Sequence, residues 1–313
     1  MKTLYVANAG GHLEELWLLR SRFSNGEGPR AWVTFDSPQA RSLLEGEECI
    51  FAAPSQPRDV ATMLRNAVQA RQVLARGEWD AVISTGSVMA VPFLSLARAR
   101  GIRCHFIESA ARTKVPSLTG RLLELVPGVH RYSQYEGWSA WRKWVFRGSV
   151  FDAFGPAEPI AEPEIRRVVV TLGSNSYDFG RLIEGVQRAL PADAEVLWQT
   201  GHTDVSRFDI AATPFLPSAD LAKAMQAADL VVAHAGVGSA LAALQAGHLP
   251  LLVPRRKHYR EHVDDHQIQI ARHLMDRGIA IECDASDLNV AVAMRAAASR
   301  AVPVDAPPFI LDE

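Results

Sequence analysis

Several short stretches of this chain combine glycine, hydroxyl, imidazole and cationic residues directly after apolar runs of strand length. The sharpest is LVVAHAGVGS at 230–239. An apolar run leads into His234, Gly236, Val237, Gly238 and Ser239, after which a helix is expected. Glycines there allow close backbone approach, and the free N–H groups and positive dipole end of a helix start favour a phosphate. Glycines at a strand-to-helix turn are equally ordinary packing devices. A second stretch, TLGSNS at 171–176, places Gly173, Ser174 and Asn175 at another strand end, where they could meet the same anion. A third, RRKHYREH at 255–262 followed by DDHQ at 264–267, packs cations, imidazoles and Gln267 after a strand. Its alternative is a solvated loop. Arg255, Arg256 or Lys257 could pair with a carboxylate on a ligand.

In the first half, Gly10 and Gly11 place His12 directly after a strand, and Glu108-Ser109 follow another. Either His12 or Glu108 could be a general base for a hydroxyl. The structural alternatives are a turn histidine and a helix-capping glutamate. His258 and His262 are four apart around Glu261, but they form no H-E-x-x-H pattern, and no Asp-x-Asp pair is present. The expectation is therefore no metal and no cofactor. A leaving diphosphate would be stabilised by a helix dipole and hydrogen-bond donors.

The elements that must position these groups alternate. Strands are expected at 3–7, 31–34, 80–84 and 103–107, with helices at 13–23, 37–45, 59–76 and from 86 to about 100. FGPAEPIAEPE at 154–164 has three prolines and no apolar periodicity, so it reads as a linker. The alternation restarts, with strands at 167–172, 195–199, 229–234, 249–253 and 279–283. Helices are expected at 178–190, 218–227, 238–247, 264–277 and 286–300. The fold class is α/β: two Rossmann-like domains whose parallel sheets face an interdomain cleft. The domains are residues 1–152 and 166–300, with a linker at 153–165 and a tail at 301–313. In such sheets ligands bind beyond the carboxyl ends of the strands, which is where every stretch above falls.

Composition narrows the partners. The chain has 313 residues, 48% hydrophobic and 22% charged, as expected of a globular protein with two cores. Three scattered cysteines suit a reducing cytoplasm. No apolar stretch approaches the roughly 20 residues of a membrane span, and the N-terminal sequence lacks a signal-peptide core. The net charge of −2 hides an asymmetry. Residues 1–150 hold 19 Lys and Arg against 13 Asp and Glu, while the remainder holds 14 against 22. A basic first half suits a phospholipid surface or a lipid diphosphate; nothing points to nucleic acid. Trp138, Trp141, Trp144 and Phe146, with Arg142, Lys143 and Arg147, would suit a membrane interface or a packed junction.

Taken in order, GGHLEEL (10–16), STGSVMAVPF (84–93), FIESAARTKVPSLTGRLL (106–123), RGSVFD (147–152), VVVTLGS (168–174), HAGVGS (234–239), LVPR (252–255) and EHVDDHQ (261–267) resemble the GT-B glycosyltransferases. The resemblance is to the group, glycosyltransferase family 28, that contains the peptidoglycan lipid-linked N-acetylglucosaminyltransferase. It is nearest to the two-subunit transferases that extend polyprenol-diphosphate sugars in bacterial exopolysaccharide and dolichol-linked chitobiose synthesis, here fused in one chain. The resemblance implies a UDP-sugar donor, a lipid-linked sugar acceptor and peripheral contact with the inner leaflet of the cytoplasmic membrane. It implies donor contacts from Gly236, Gly238 and Ser239 to the diphosphate, from Phe215 and Leu216 to uracil, and from His266 and Gln267 to the sugar. Gly10, Gly11, His12, Glu108, Ser109 and Arg112 would serve the acceptor. The chain departs from many relatives at Ala242, where a glutamate would meet the ribose; the nearest polar residue is Gln245. The cations at 255–257 lean the donor toward UDP-glucuronate. A UDP-sugar epimerase and a non-catalytic nucleotide-sugar-binding subunit are the rival readings.

Overall fold

The computed structural model describes residues 1–23, 28–52, 60–138 and 143–312, with side chains omitted over 60–64. It divides into two compact units, residues 1–152 with 306–313, and residues 153–305.

The first unit holds β1 (Thr3–Ala7), α1 (Gly11–Leu19), β2 (Arg30–Phe35), α2 (Pro38–Leu43), β3 (Cys49–Ala52), α3 (Val60–Arg76), β4 (Ala81–Gly86), α4 (Ala90–Arg98), β5 (Arg103–Ile107), α5 (Leu118–Leu123), β6 (Val129–Ser133) and β7 (Val145–Phe146). Its strands form one parallel sheet in the order β3-β2-β1-β4-β5-β6-β7. The second unit holds β8 (Phe154–Pro156), β9 (Arg167–Thr171), α6 (Gly180–Ala189), β10 (Glu195–Gln199), β11 (Ala212–Thr213), α7 (Ser218–Ala227), β12 (Leu230–His234), α8 (Val237–Gln245), β13 (Leu251–Val253), α9 (His266–Asp276), β14 (Ile281–Glu282), α10 (Val290–Ala298) and β15 (Ala301–Pro303). Its main sheet is parallel in the order β11-β10-β9-β12-β13-β14.

Both sheets are doubly wound, which explains the continuous apolar runs. A strand covered by helices on both faces must be apolar at every position. In β9, Val168 and Val170 face one core with α6 and α10, while Val169 faces the other with Met225 and Ala243. The strand order reverses between β1 and β4 in the first unit and between β9 and β12 in the second. Those two switch points are where ligands bind in such sheets.

The structure adds short strands that the apolar pattern does not signal: β3, β6, β7, β8, β11 and β15. Most lie at sheet edges and are only two to four residues long, too short to show a pattern; β6, VHRYS, carries His and Arg. The expected helix from 86 begins only at Ala90, because Gly86 and Ser87 turn first with φ of 130° and 76°. The stretch expected as a linker contributes β8, which pairs antiparallel with β15 from the expected tail. The last residues return to the first unit. Phe309 is fully buried against Phe23 and Tyr132, its N–H donates to the Arg22 carbonyl, and Asp312 pairs with Arg147.

Replacing Phe309 with alanine should therefore destabilise the first unit by about 3–5 kcal/mol, the usual cost of emptying a buried phenylalanine site. Denaturant unfolding checks it; a change under about 1 kcal/mol would mean that the tail is merely draped on the surface.

Candidate functional site

In the second unit, β9 and β12 deliver two loops to the switch point. His234 ends β12, and its half-buried ring lies between two glycines. A Cβ on Gly173, whose φ is 78°, would sit 2.3 Å from the imidazole Cε1, and one on Gly236 would sit 2.3 Å from Nε2. Any side chain at either position would collide with the ring. The sequence assigns these glycines to backbone approach by a phosphate; here they clear space for an imidazole as well. The ring also bonds the Thr171 backbone and lies 3.4 Å from the Ser239 Oγ through Nδ1. Burial, and then the nearby Arg255 charge, push the His234 pKa down to about 3. The imidazole is therefore neutral at physiological pH.

Gly236 caps α8 without any side-chain bond to the first turn. The N–H groups of Val237, Gly238 and Ser239 thus face outward as donors with the helix dipole behind them. Val237 contributes only its backbone, since its side chain is buried. Ser174 is exposed beside this loop, and Asn175 accepts the Tyr177 N–H. Phe215 is half exposed, with His202 edge-on at 5.1 Å, and Leu216 is half-buried.

Arg255 corrects an expectation. Its side chain has no exposed surface. Nη1 donates to the carbonyls of Tyr177, Asp178 and Glu261, and Nη2 to that of Leu172. The guanidinium stacks over Phe179, and the backbone N–H donates to the Gln267 Oε1. Nε has no partner but is buried, so no atom of this side chain is exposed to a ligand carboxylate; its Nη groups tie together the loops that follow β9 and β13. Arg256 is likewise engaged, with Asp284, which also binds Arg181, and Glu261 takes Arg181 through both oxygens. Lys257 is exposed. His266 and His262 bracket the Asp264 carboxylate at 3.1 and 3.0 Å. Gln245 is a second correction: it is exposed at the far end of α8, about 12 Å along the axis from Val237, because a helix rises 1.5 Å per residue.

In the first unit, His12 lies in the first turn of α1, after the Gly10 cap and Gly11. Its Nδ1 lies 3.0 Å from the Thr85 carbonyl, across the switch point on β4, and the Thr85 Oγ1 donates to the His12 carbonyl. A carbonyl accepts only, so Nδ1 carries the proton and Nε2 keeps its lone pair. Burial, with the Arg112 charge acting in the same direction, lowers the His12 pKa. This ring has the form of a general base.

Glu108 does not. It is buried, its Oε2 accepts from the Ser117 N–H and hydroxyl, and its Oε1 accepts from the Ser109 N–H. Burial raises its pKa. Its oxygens are occupied in holding the loop that leads to α5, so the reading as a base is withdrawn. The Ser109 hydroxyl is occupied too, donating to Glu15 and accepting from the Ala111 N–H. The Arg112 backbone closes the same turn on the Ser109 carbonyl. The sequence reading missed Thr85, Glu15, Gln134 and Ser117. Glu15 had a visible signal: it is an acidic residue on the buried face shared with Leu13, Leu16 and Leu19.

The tryptophans turn inward. Trp138 and Trp144 are buried with ring centroids 5.2 Å apart, and their indole N–H groups donate to the Thr113 carbonyl and Glu124. Trp141 and Arg142 lie outside the described residues. Among the described residues, no helix is long and apolar enough to cross a membrane and no cluster of metal-ligating side chains occurs.

Residues 167–297, which include the whole His234–Ser239 loop, match the glycosyltransferase family 28 C-terminal domain. The chain is 30% identical over 241 residues to a UDP-N-acetylglucosamine--N-acetylmuramyl-(pentapeptide) pyrophosphoryl-undecaprenol N-acetylglucosamine transferase of Synechococcus sp. (strain JA-3-3Ab). That match spans 73% of this chain and 64% of the relative's length. Among solved structures, MurG of Acinetobacter baumannii superimposes with a TM-score of 0.57 at 21% identity, over 94% of this chain and 88% of that one. A UDP-GlcNAc 2-epimerase of Methanocaldococcus jannaschii superimposes equally well, at 0.57 and 10% identity, over 95% and 91%. The two parallel α/β units are those of the GT-B fold.

Arg255→Ala should leave several buried carbonyls without donors and cost at least about 3 kcal/mol, given 1.5–3 kcal/mol per bond to a charged group. Urea unfolding measures it; a loss under about 1 kcal/mol would contradict the central place given to this side chain.

Proposed function

We propose that the protein is an inverting, metal-independent glycosyltransferase. It moves a sugar from a UDP-sugar bound by the second unit to a polyprenol-diphosphate-linked sugar bound by the first, in polysaccharide biosynthesis. The observation that carries this reading is the open N-terminus of α8, with neutral His234 and Ser239, inside the segment matching the family 28 C-terminal domain.

In this mechanism His12 Nε2 takes the proton of the acceptor hydroxyl as that oxygen bonds to the anomeric carbon. The bond from that carbon to the UDP oxygen breaks on the opposite face. The leaving electron pair rests on the β-phosphate oxygen, met by the N–H groups of Val237, Gly238 and Ser239 and by the Ser239 hydroxyl. His12 is neutral because burial depresses its pKa, and Thr85 fixes its tautomer. Glu108, Ser109 and Arg112 belong to the acceptor side as the shape of a loop rather than as a base.

The lean to UDP-glucuronate loses Arg255 and Arg256 to internal partners and rests on Lys257 alone. The name of the Synechococcus relative favours UDP-N-acetylglucosamine instead. Work at the cytoplasmic face of the membrane is part of this reading. It draws on the positive first half and on exposed Leu118, Leu122 and Leu125, in place of the buried Trp138 and Trp144. The epimerase reading draws on the shared fold. It requires epimerised sugar to form without an acceptor, whereas a transferase forms product only when the acceptor is present.

His12→Ala should lower kcat about 10²–10⁴-fold with UDP affinity unchanged, as for removal of a general base. In the wild type the acid limb of the rate profile should lie below pH 6.5, since a base with a lowered pKa stays unprotonated to lower pH. A limb above 6.5, or full activity in the variant, would remove His12 from this place. A thermal-shift panel of UDP, UDP-glucuronate, UDP-galactose, UDP-glucose and UDP-N-acetylglucosamine should show stabilisation by UDP itself, with the largest shift from UDP-N-acetylglucosamine. A larger shift from UDP-glucuronate would restore the uronate reading, and none from UDP would sink the donor site.

A further inference from the structure

Glu15 is buried in α1, three residues after His12, and it is enclosed by donors. Its Oε1 accepts from the Ser109 hydroxyl at 2.7 Å. Its Oε2 accepts from the Ala110 N–H and the Gln134 Nε2, both at 2.8 Å. Gln134 extends the tie: its Nε2 also donates to the Glu108 carbonyl, and its Oε1 accepts the Val150 N–H. One carboxylate thus fastens the helix that carries His12 to the loop after β5, and through Gln134 to the chain after β6.

We infer that Glu15 is a positioning residue for the acceptor side, setting the loop at 108–117 against the helix that carries His12. The inference rests on the reading of the first unit as the acceptor-binding unit. Leu13, Leu16 and Leu19 already seat α1 on the sheet. An apolar side chain at position 15 would serve packing alone at lower cost, since burying a carboxylate is expensive even among donors. That cost is visible, because burial is the largest influence on Glu15 and raises its pKa to about 7. All three groups facing it are donors, which favours the ionised form, the one that only accepts. A carboxylate kept against its packing interest, at the meeting of three segments beside the candidate base, is the kind of local conflict found at functional sites.

The test is Glu15→Gln, which keeps the shape but turns one acceptor into a donor. Steady-state kinetics would use a UDP-sugar and a lipid-linked acceptor, and hydrogen exchange would be read along the first unit. The expected result is a rise of about 10-fold or more in acceptor KM, as for one lost bond to a charged group. Donor KM should stay unchanged, and exchange should quicken at 109–117 while β1 and β5 stay protected. Ser109→Ala, which removes one strut, should give a smaller rise. The double variant should raise KM by less than the product of the two single effects, because the two residues share one interaction. Unchanged exchange at 109–117 overturns the inference whatever the activity. So does an unchanged acceptor KM with kcat falling only as the folded fraction falls. A wild-type protein that transfers no sugar to any lipid-linked acceptor defeats the proposed function instead, and the exchange result still decides whether Glu15 holds the loop.

Discussion

A guanidinium sealed from water must look to the protein for acceptors, and Arg255 finds them for Nη1 and Nη2 in the main chain of the second unit, while its Nε stays buried without one. Carbonyls of Leu172, Tyr177, Asp178 and Glu261 come from the two loops that must be shaped for a ligand at the β9–β12 switch point. Loops of this kind have little apolar surface with which to define themselves, so a charged hub bonded to their carbonyls supplies the missing constraint. The same charge lies near enough to His234 to help keep that ring neutral. Around the hub, Arg181, Arg256, Glu261 and Asp284 neutralise one another in a closed set of ion pairs. Because this set is partly buried, its value lies in fixing geometry more than in net stability.

The two units solve the same problem in mirrored ways. In the first, a histidine just after the first strand, His12, reaches across to the fourth at Thr85. In the second, a histidine at the end of the fourth strand, His234, reaches back to the first at Thr171. In both cases a glycine of the opposite loop, Gly86 or Gly173, makes room for the ring. A doubly wound sheet diverges at its switch point, leaving a gap between loops, and an imidazole is long enough to span it while presenting a second nitrogen. Burial lowers the pKa of both rings, so each is held as the neutral imidazole, which interacts by hydrogen bonding and, on the proposed reading, lets His12 accept a proton.

The alternation of strands and helices was legible because buried parallel strands must be apolar throughout, and the phosphate-type loop was legible because it interrupts such a run with glycines. Edge strands such as β3 and β11 were not, since a half-buried strand of two to four residues leaves no periodicity to read. The site was legible in its positions and less so in its roles. His12, Gly173, His234, Gly236 and Ser239 do meet at switch points. Arg255 and Glu108 stand at the right strand ends but turn inward, and a charged residue at a strand end reads the same whether it faces a ligand or the protein's own polar groups. Thr85 was invisible because its partner His12 lies 73 residues away in sequence, and one of its two bonds uses a carbonyl, which every residue possesses. Gln245 was misjudged on being the polar residue nearest to Ala242, although the expected helix at 238–247 already puts it in the last turn, away from the glycine loop.

With Arg255 and Arg256 committed internally, the donors that the proposed function assigns to the diphosphate are uncharged: the first-turn N–H groups of α8 and the Ser239 hydroxyl. That distinction matters for a transfer reaction. A cluster of cations would bind the diphosphate strongly both before and after reaction, which tightens product as much as it helps the chemistry. Fixed dipoles aimed at one oxygen respond instead to the charge that grows there as the bond to the sugar breaks, so their effect is larger in the transition state than in the ground state. The ion pairs beside Arg255 engage the nearby cations Arg181 and Arg256 with Glu261 and Asp284, and so tie the loop after β13 to α6 and to the chain after β14.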